Sequence, residues 1–321
     1  MSFDVAGGWL APDARPPGAT IAAPGGVTDG GADGPAAPPP VPVPMPLRPM
    51  TVTDIIDGGI AALKAAPRAV FAVTAAFVVP AELLSAWVRR DQLADAGIAG
   101  TVEVLSSDSG RAGDIDATVL LLVVQSVVLA FVACAVASLM ASWYFNRPIT
   151  ARQALGLTMR RSPAVLVAWT VVHLIEAMAA VVLILPALAV MALLATTIPA
   201  LAIEGCGPFK AVRRSWQLGQ TRFWGALGAT LLIALVDLVL ALALSGLGLL
   251  FEPFDWAWVV DSVLIGIAAL VTTPFVAAAT TLLYLDRRVR SEGLDIELGI
   301  AEHLGPGRRR PGSEQGVARV R

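Results

Sequence analysis

The chain has 321 residues, of which 56% are hydrophobic and 15% are charged, with a net charge of −2 and a mean hydropathy of +0.72. An ordinary soluble domain has about 25% charged residues, and recognition of nucleic acid through bulk charge requires an excess of positive charge. The composition therefore excludes a soluble globular fold and gives no indication of nucleic-acid binding. Long apolar runs predict an all-α protein that crosses a membrane several times.

The chain begins with a segment that is predicted to be a disordered tail, 1–47. Residues 1–50 hold 12 prolines and 8 glycines, and a segment with almost no β-branched or aromatic periodicity to bury cannot offset the entropy lost on folding. A membrane domain is predicted over 48–298, followed by a second disordered, basic tail over 299–321.

Six transmembrane helices are predicted to form a bundle. The run 163–203 contains 41 residues with only His173 and Glu176 as ionisable groups. A helix of that length measures about 60 Å, twice the hydrocarbon thickness of about 30 Å, so the run must cross twice. Its turn is expected near 179–183, with Pro186 in the first turn of the next helix. The predicted spans are about 69–88, 117–145, 163–181, 183–203, 223–250 and 257–285.

The positions of the basic residues test this count independently of hydropathy. If the N-terminus is cytoplasmic, the inside segments carry 20 of the 23 lysines and arginines. A single crossing over 163–203 would move the four basic residues of 204–222 outside, against the tendency of such residues to stay in the cytoplasm. Six crossings with both termini cytoplasmic are therefore predicted.

Three cytoplasmic segments, 48–67, 147–163 and 204–222, each lead directly into a transmembrane helix. The first two open with Arg-Pro-x-Thr, and in the third Phe209 and Trp216 fall on the side opposite the basic residues. We expect interfacial amphipathic helices that place arginines near anionic lipid headgroups. The pattern predicts three repeats of amphipathic helix plus transmembrane hairpin. The residues predicted to contact lipid are Lys210, Arg213, Arg214, Trp216, Arg222 and Trp224.

Ionisable side chains inside the predicted bilayer are the candidates for a functional site. His173 and Glu176 lie three residues apart on one helix face, and Asp237 lies at a similar depth in the fifth span. An unpaired charge there is costly, so such residues indicate function by default. The three groups could relay protons or bind a cation, or they could only hold helices together through hydrogen bonds.

Other intramembrane features are expected to be structural. Glu82 and Asp261 lie nearer the outer interface, where water can hydrate them. Pro80, Pro199 and Pro274 lie within predicted spans and should bend or interrupt their helices.

No motif predicts catalysis, a metal or a cofactor. The chain has only two histidines, His173 and His303, so a His-Glu-x-x-His zinc site is not available. Neither a phosphate-binding Gly-x-x-x-x-Gly-Lys-Ser/Thr loop nor a Gly-x-Ser-x-Gly elbow occurs. We expect a protein that is not an enzyme.

Three sequence blocks resemble the membrane-domain family named after bacterial glycerophosphoryl diester phosphodiesterases, which includes stand-alone actinobacterial proteins. These blocks are RPMTVTDIIDGGIAAL, EGCGPFKAVRRSWQLGQTRFW and YLDRRVRSEGLDIEL, and the resemblance covers about 48–298. It implies six helices in a bacterial cytoplasmic (plasma) membrane. The catalytic domain of fused relatives begins its site with His-Arg-Gly, but neither His173 nor His303 is followed by Arg-Gly. The resemblance therefore implies no catalytic residue here.

Two functional hypotheses follow. The first is a scaffold or accessory subunit of a cell-envelope or membrane complex, with anionic lipids and membrane proteins as its partners. The alternative is a transporter or lipid-handling permease that uses His173, Glu176 and Asp237. Convergence of these three side chains on a polar cavity would favour transport, and their separation would favour the scaffold.

Overall fold

The computed structural model describes residues 48–95, 112–145, 147–251 and 256–294, and every regular element in these ranges is helical. The predicted tails 1–47 and 299–321 lie outside the described residues. The elements in chain order are α1 (Val52–Ala65), α2 (Pro67–Asp95), α3 (Ala112–Tyr144), α4 (Ala151–Arg160), α5 (Ser162–Val182), α6 (Ile184–Leu194), α7 (Thr197–Glu204), α8 (Pro208–Thr221), α9 (Phe223–Ser245), a 3₁₀ helix (Gly246–Phe251) and α10 (Ala257–Glu292).

Six segments of the described chain are long and apolar enough to cross a membrane. They are Pro67–Trp87, Val119–Tyr144, Ser162–Val182, Ile184–Glu204, Phe223–Gly248 and Val259–Glu292. The predicted class is confirmed: the chain is an all-α, multi-pass membrane protein. The third and fourth spans meet at one extended residue, Leu183, at the edge of the predicted turn.

The three predicted amphipathic segments form the short helices α1, α4 and α8. The shared Arg-Pro-x-Thr sequence has a structural reason, because Thr51 and Thr150 are both N-caps with a reciprocal capping box. The third helix begins differently, at Gly207 and Pro208. Its connection to the next span nevertheless resembles that of α1, since Arg222 (φ −142°, ψ 60°) and Ala66 (φ −143°, ψ 66°) form nearly identical corners. These likenesses are compatible with three repeats, which stay a prediction.

The end of the bundle that carries α1, α4 and α8 is called the basic end below, and the opposite end is called the far end. The core is densest towards the basic end, where most of residues 130–143 in α3 and 275–289 in α10 are buried. Many of these residues are alanine, which lets membrane helices approach closely. Helix α10 is central and packs against α1, α2, α3 and α9. A Cβ on Gly59 of α1 would lie 3.1 Å from the Phe275 ring.

The fourth span is interrupted, as predicted for the helix that contains Pro199. Pro199 has no N–H to donate to the Ala195 carbonyl, and its ring disfavours a regular turn before it. Helix α6 accordingly ends at Leu194 and α7 begins at Thr197. Pro80 and Pro274, in contrast, lie inside continuous helices.

Candidate functional site

A polar cavity of about 440 Å³ lies between α2, α3, α9 and α10. It is in the half of the bundle nearer the far end, since its α3 residues, 122–129, precede the densely buried part of that helix. Apolar side chains make up most of its wall. The polar lining residues are Glu82, Gln125, Ser126, Asp237, Thr272 and Thr273.

The local sequence explains why the helices separate at this level. Valine and leucine side chains of α3 between 119 and 123 are exposed, whereas the small residues that allow close packing are concentrated from Ala130 onwards. Pro274 also removes the hydrogen bond that would reach the Leu270 carbonyl one turn earlier in α10. Loosened packing and a proline-weakened helix therefore coincide at the cavity wall.

Asp237 is the central polar group of this cavity. It is half-buried on α9, and its carboxylate is hydrogen-bonded to the Thr272 side chain of α10. Glu82 contributes a second carboxylate from α2, and Gln125 contributes an amide from α3. Four helices thus direct oxygen-rich side chains towards one space, a composition that favours a cationic or hydrogen-bonding ligand over an anion.

His173, Glu176 and Asp237 do not line one common cavity, and their joint role as a site stays a prediction. Glu176 and His173 are both half-buried on α5 and close enough for their charges to interact, but neither lines the cavity that contains Asp237. The His173 Nδ1 atom lies 3.0 Å from the Trp169 carbonyl oxygen one turn earlier, and the two rings stack with centroids 4.8 Å apart. Helices α5 and α9 are not a closely packed pair, and sequence spacing within each helix does not show which helices are neighbours.

Glu82 lines the cavity, although the sequence predicted a hydrated position for it nearer the outer interface. Gln125 and Thr272 also line the cavity and were not predicted, because uncharged polar residues are common in membrane helices. A signal was nevertheless present: Pro80 precedes Glu82 by two residues, and Pro274 follows Thr272 by two. In each of these two spans a polar residue lies close to a proline, and both polar residues line the cavity.

A second polar cluster joins the amphipathic layer to the bundle at the basic end. The Arg214 Nε of α8 donates to Glu204 Oε1 at 2.7 Å, and its Nη2 forms an ion pair with Glu292 of α10. Tyr284 donates its hydroxyl to the same Glu204 oxygen at 2.6 Å. Burial opposes the charge of Arg214, but the hydrogen bonds to Glu204 and Glu292 raise its pKa above the usual value.

A third cluster satisfies the carbonyl groups that the break in the fourth span exposes. Arg287 of α10 is 5% exposed and donates to the Ala192 carbonyl and the Thr196 hydroxyl, both at 2.9 Å. Ser215 of α8 donates to the Leu193 carbonyl at 2.8 Å. Because an unsatisfied carbonyl within a membrane is costly, these bonds make α8 and α10 part of the fourth span's structure.

The predicted lipid-contact residues divide into two groups. Lys210, Arg213, Arg222 and Trp224 are exposed, as the prediction requires, and Trp216 is half-buried. For Arg214 the prediction is corrected, because its guanidinium is held by two carboxylates and is only 23% exposed. The buried face of α8 consists of Ala211, Ser215, Leu218 and Gly219. Phe209, which is 69% exposed, thus lies outside the face packed on the bundle.

Within the described ranges, no group of three His, Cys, Asp or Glu side chains is arranged to hold a metal ion. No protein-family model, curated protein or solved structure matches the chain. The evidence for function is therefore the geometry of the cavity beside Asp237 and of the polar clusters around Arg214 and Arg287.

Proposed function

We propose that this protein is a permease-type membrane protein that holds a small cationic solute in the cavity beside Asp237. The observation that carries the proposal is the convergence of Asp237 and Glu82, from two different spans, on one intramembrane space of about 440 Å³. By the criterion set from the sequence, the separation of His173 and Glu176 from Asp237 counts against a transporter that uses those three residues. The transporter proposed here differs from that hypothesis, because it uses Glu82 together with Asp237.

The chemistry of the cavity supports a cation. Two carboxylates can neutralise a positive charge that has lost its water, while the Gln125 amide and the threonine hydroxyls supply further oxygen ligands. The volume exceeds that of a single dehydrated metal ion, so a small alkylammonium also fits. Proton exchange at either carboxylate would let the site release its ligand, which is the chemistry that a cation antiporter needs.

The test is a current measurement on proteoliposomes adsorbed to a solid-supported membrane. Concentration jumps of Na⁺, K⁺ or methylammonium at constant ionic strength should produce a current for at least one probe that protein-free liposomes lack. The Asp237→Asn variant should lose this current, because removing one charge-assisted contact weakens binding by about tenfold or more.

Glu176→Gln is the matched control, since it neutralises a carboxylate at similar depth outside the cavity. It should retain the current at equal protein content. A wild-type current that survives Asp237→Asn would contradict the proposal. The absence of both a current and a change in internal pH with all three cations would also contradict it, because one-for-one exchange of a cation for a proton moves no net charge.

The second candidate is the scaffold or accessory subunit, and a different observation favours it. Ion pairs of Arg214 and a hydrogen bond of Ser215 fix α8 to the bundle, giving a layer at the basic end with exposed Lys210 and Arg213. We propose a non-enzymatic protein of a bacterial cytoplasmic membrane in either case, with both termini cytoplasmic, and the family resemblance stays part of this proposal.

Affinity purification from native membranes, followed by mass spectrometry of proteins and lipids together, tests the scaffold directly. Reproducible protein partners that are lost in a Lys210→Glu/Arg213→Glu variant, with unchanged protein abundance, would support it. Recovery of the same partners from that variant would exclude the basic layer as their binding surface.

A further inference from the structure

The hairpin formed by α5 and α6 differs from the rest of the bundle at its tip. Five consecutive side chains, Val181 to Leu185, are 65–88% exposed, and all five are apolar. The sequence has no polar residue from Ala177 to Ala195, a stretch that includes the whole turn. A turn that emerged into water would expose these side chains at a cost of about 25 cal/mol for each Å² of apolar surface.

We propose that this tip ends within the hydrocarbon of the membrane half at the far end, where lipid acyl chains surround it. Helix α5 has 21 residues and is therefore about 31 Å long. Its first residue follows Arg160 and Arg161, whose charges belong at headgroup level. The hydrocarbon is about 30 Å thick and the whole bilayer about 40–45 Å, and an average tilt of about 20° shortens the reach of α5 to about 29 Å.

The neighbouring spans differ from this hairpin in length and in sequence. Helices α2 and α3 have 29 and 33 residues, or about 43 and 49 Å, and the sequence between them contains Glu103, Asp108 and Arg111. The sequence between α9 and α10 contains Glu252 and Asp255. The α5–α6 turn, in contrast, joins two short helices through an entirely apolar sequence.

The turn keeps a backbone hydrogen bond on each side of its non-helical residue, which reduces the number of polar groups left without a partner in an apolar environment. Leu183 is the only non-helical residue, and its N–H donates to the Ala179 carbonyl at 3.2 Å. The Leu183 carbonyl accepts from the Ala187 N–H at 3.3 Å. Pro186 lies in the first turn of α6, where it removes one N–H that would otherwise lack a partner.

Site-directed spin labelling of the full chain in liposomes tests the proposal. A nitroxide is attached to a Val182→Cys variant, and its collisions are measured with oxygen, which concentrates in hydrocarbon, and with a water-soluble nickel chelate. The label should collide readily with oxygen and poorly with nickel, as a label at Leu174→Cys on the exposed side of α5 should. A label at Ser107→Cys, in the polar sequence between α2 and α3, should show the reverse order.

Every outcome decides the proposal. High nickel accessibility at position 182 would place the tip in water, and low accessibility to both reagents would show that a second copy or another protein covers it; either result overturns the proposal. The native Cys134 is buried and the native Cys206 is half-buried, so Cys206 is replaced by serine in every labelled variant, and this Cys206→Ser chain measures the remaining background labelling. A Leu185→Cys variant repeats the measurement if Val182→Cys fails to fold.

Discussion

The contact between α8 and the broken fourth span gives a sharp prediction about stability. A Cβ atom on Gly219 would lie 2.9 Å from Leu193 Cδ2 and 3.1 Å from Leu193 Cα. The side-chain carbon can rotate away, but the backbone carbon moves only if one of the two helices moves. We therefore expect Gly219→Ala to push α8 away from the segment whose carbonyl it satisfies through Ser215.

The expected magnitude combines two opposing terms. Overpacking by one methyl group costs about 1–3 kcal/mol, whereas alanine is favoured over glycine in a helix by about 1 kcal/mol. The net result is a destabilisation of about 1 kcal/mol. Gly156 of α4 is the matched control, because nothing lies within 4 Å of the position its Cβ would take. Gly156→Ala should therefore stabilise the protein by about 0.5–1 kcal/mol.

The measurement is the free energy of unfolding of both variants in the same detergent micelles, from denaturant titrations followed by helical circular dichroism. The difference between the variants isolates overpacking, at about 1–3 kcal/mol, since the helix-propensity term is common to both. Equal stabilisation by both substitutions would refute the close approach of α8 to Leu193.

Three further predictions concern the basic end. Thr150→Ala removes an N-cap and should destabilise the protein by about 1 kcal/mol in the same titration. Arg214→Ala leaves Glu204 with the Tyr284 hydroxyl and Glu292 with Arg288, but removes the cation that joins these two carboxylates, and should cost about 1–2 kcal/mol. Arg213→Ala, at the exposed neighbouring position, should change stability by less than about 0.5 kcal/mol. The Thr51 N–H and hydroxyl lower the pKa of Asp54 below 3.8, so its stabilisation is present above that pH and is lost as pH falls through the folded-state pKa. Asp54→Asn should therefore lower the thermal midpoint at neutral pH, and this difference from the wild type should shrink under acid conditions. A difference that is independent of pH would refute the assigned role of Asp54.

Spans and caps could be predicted from sequence because their causes are local. Hydropathy over about 20 residues defines a span regardless of its neighbours, and a threonine followed by an acidic or amide residue three positions later defines a helix start. Pro199 predicted the break in the fourth span. The hydrogen bonds that satisfy the carbonyls at the break could not be predicted, because Arg287 and Ser215, which donate them, come from distant parts of the chain.

The composition of the site could not be predicted, because it depends on which helices are neighbours and on which face each helix presents to the cavity. His173 and Glu176 were grouped with Asp237 on depth alone, and depth does not specify which neighbour a side chain faces. Glu82 was set aside because it lies nearer an interface, although the separation of α2 and α9 at that level forms the cavity. Uncharged partners such as Thr272 cannot be identified from the positions of charged residues in the sequence.

The distribution of polar groups along the bundle supports a functional reading of the cavity. Between membrane helices the hydrophobic effect contributes little, so small residues and hydrogen bonds hold them together. In the described chain both are concentrated at the basic end, where alanine-rich α3 and α10 pack closely and Arg214 and Arg287 join several elements. Asp237 and Glu82 line the cavity instead, where a solute can reach them, although the hydrogen bond between Asp237 and Thr272 also joins α9 to α10. The Asp237→Asn variant separates the two roles, because a carboxylate that only joins helices should change stability without changing the current at equal protein content.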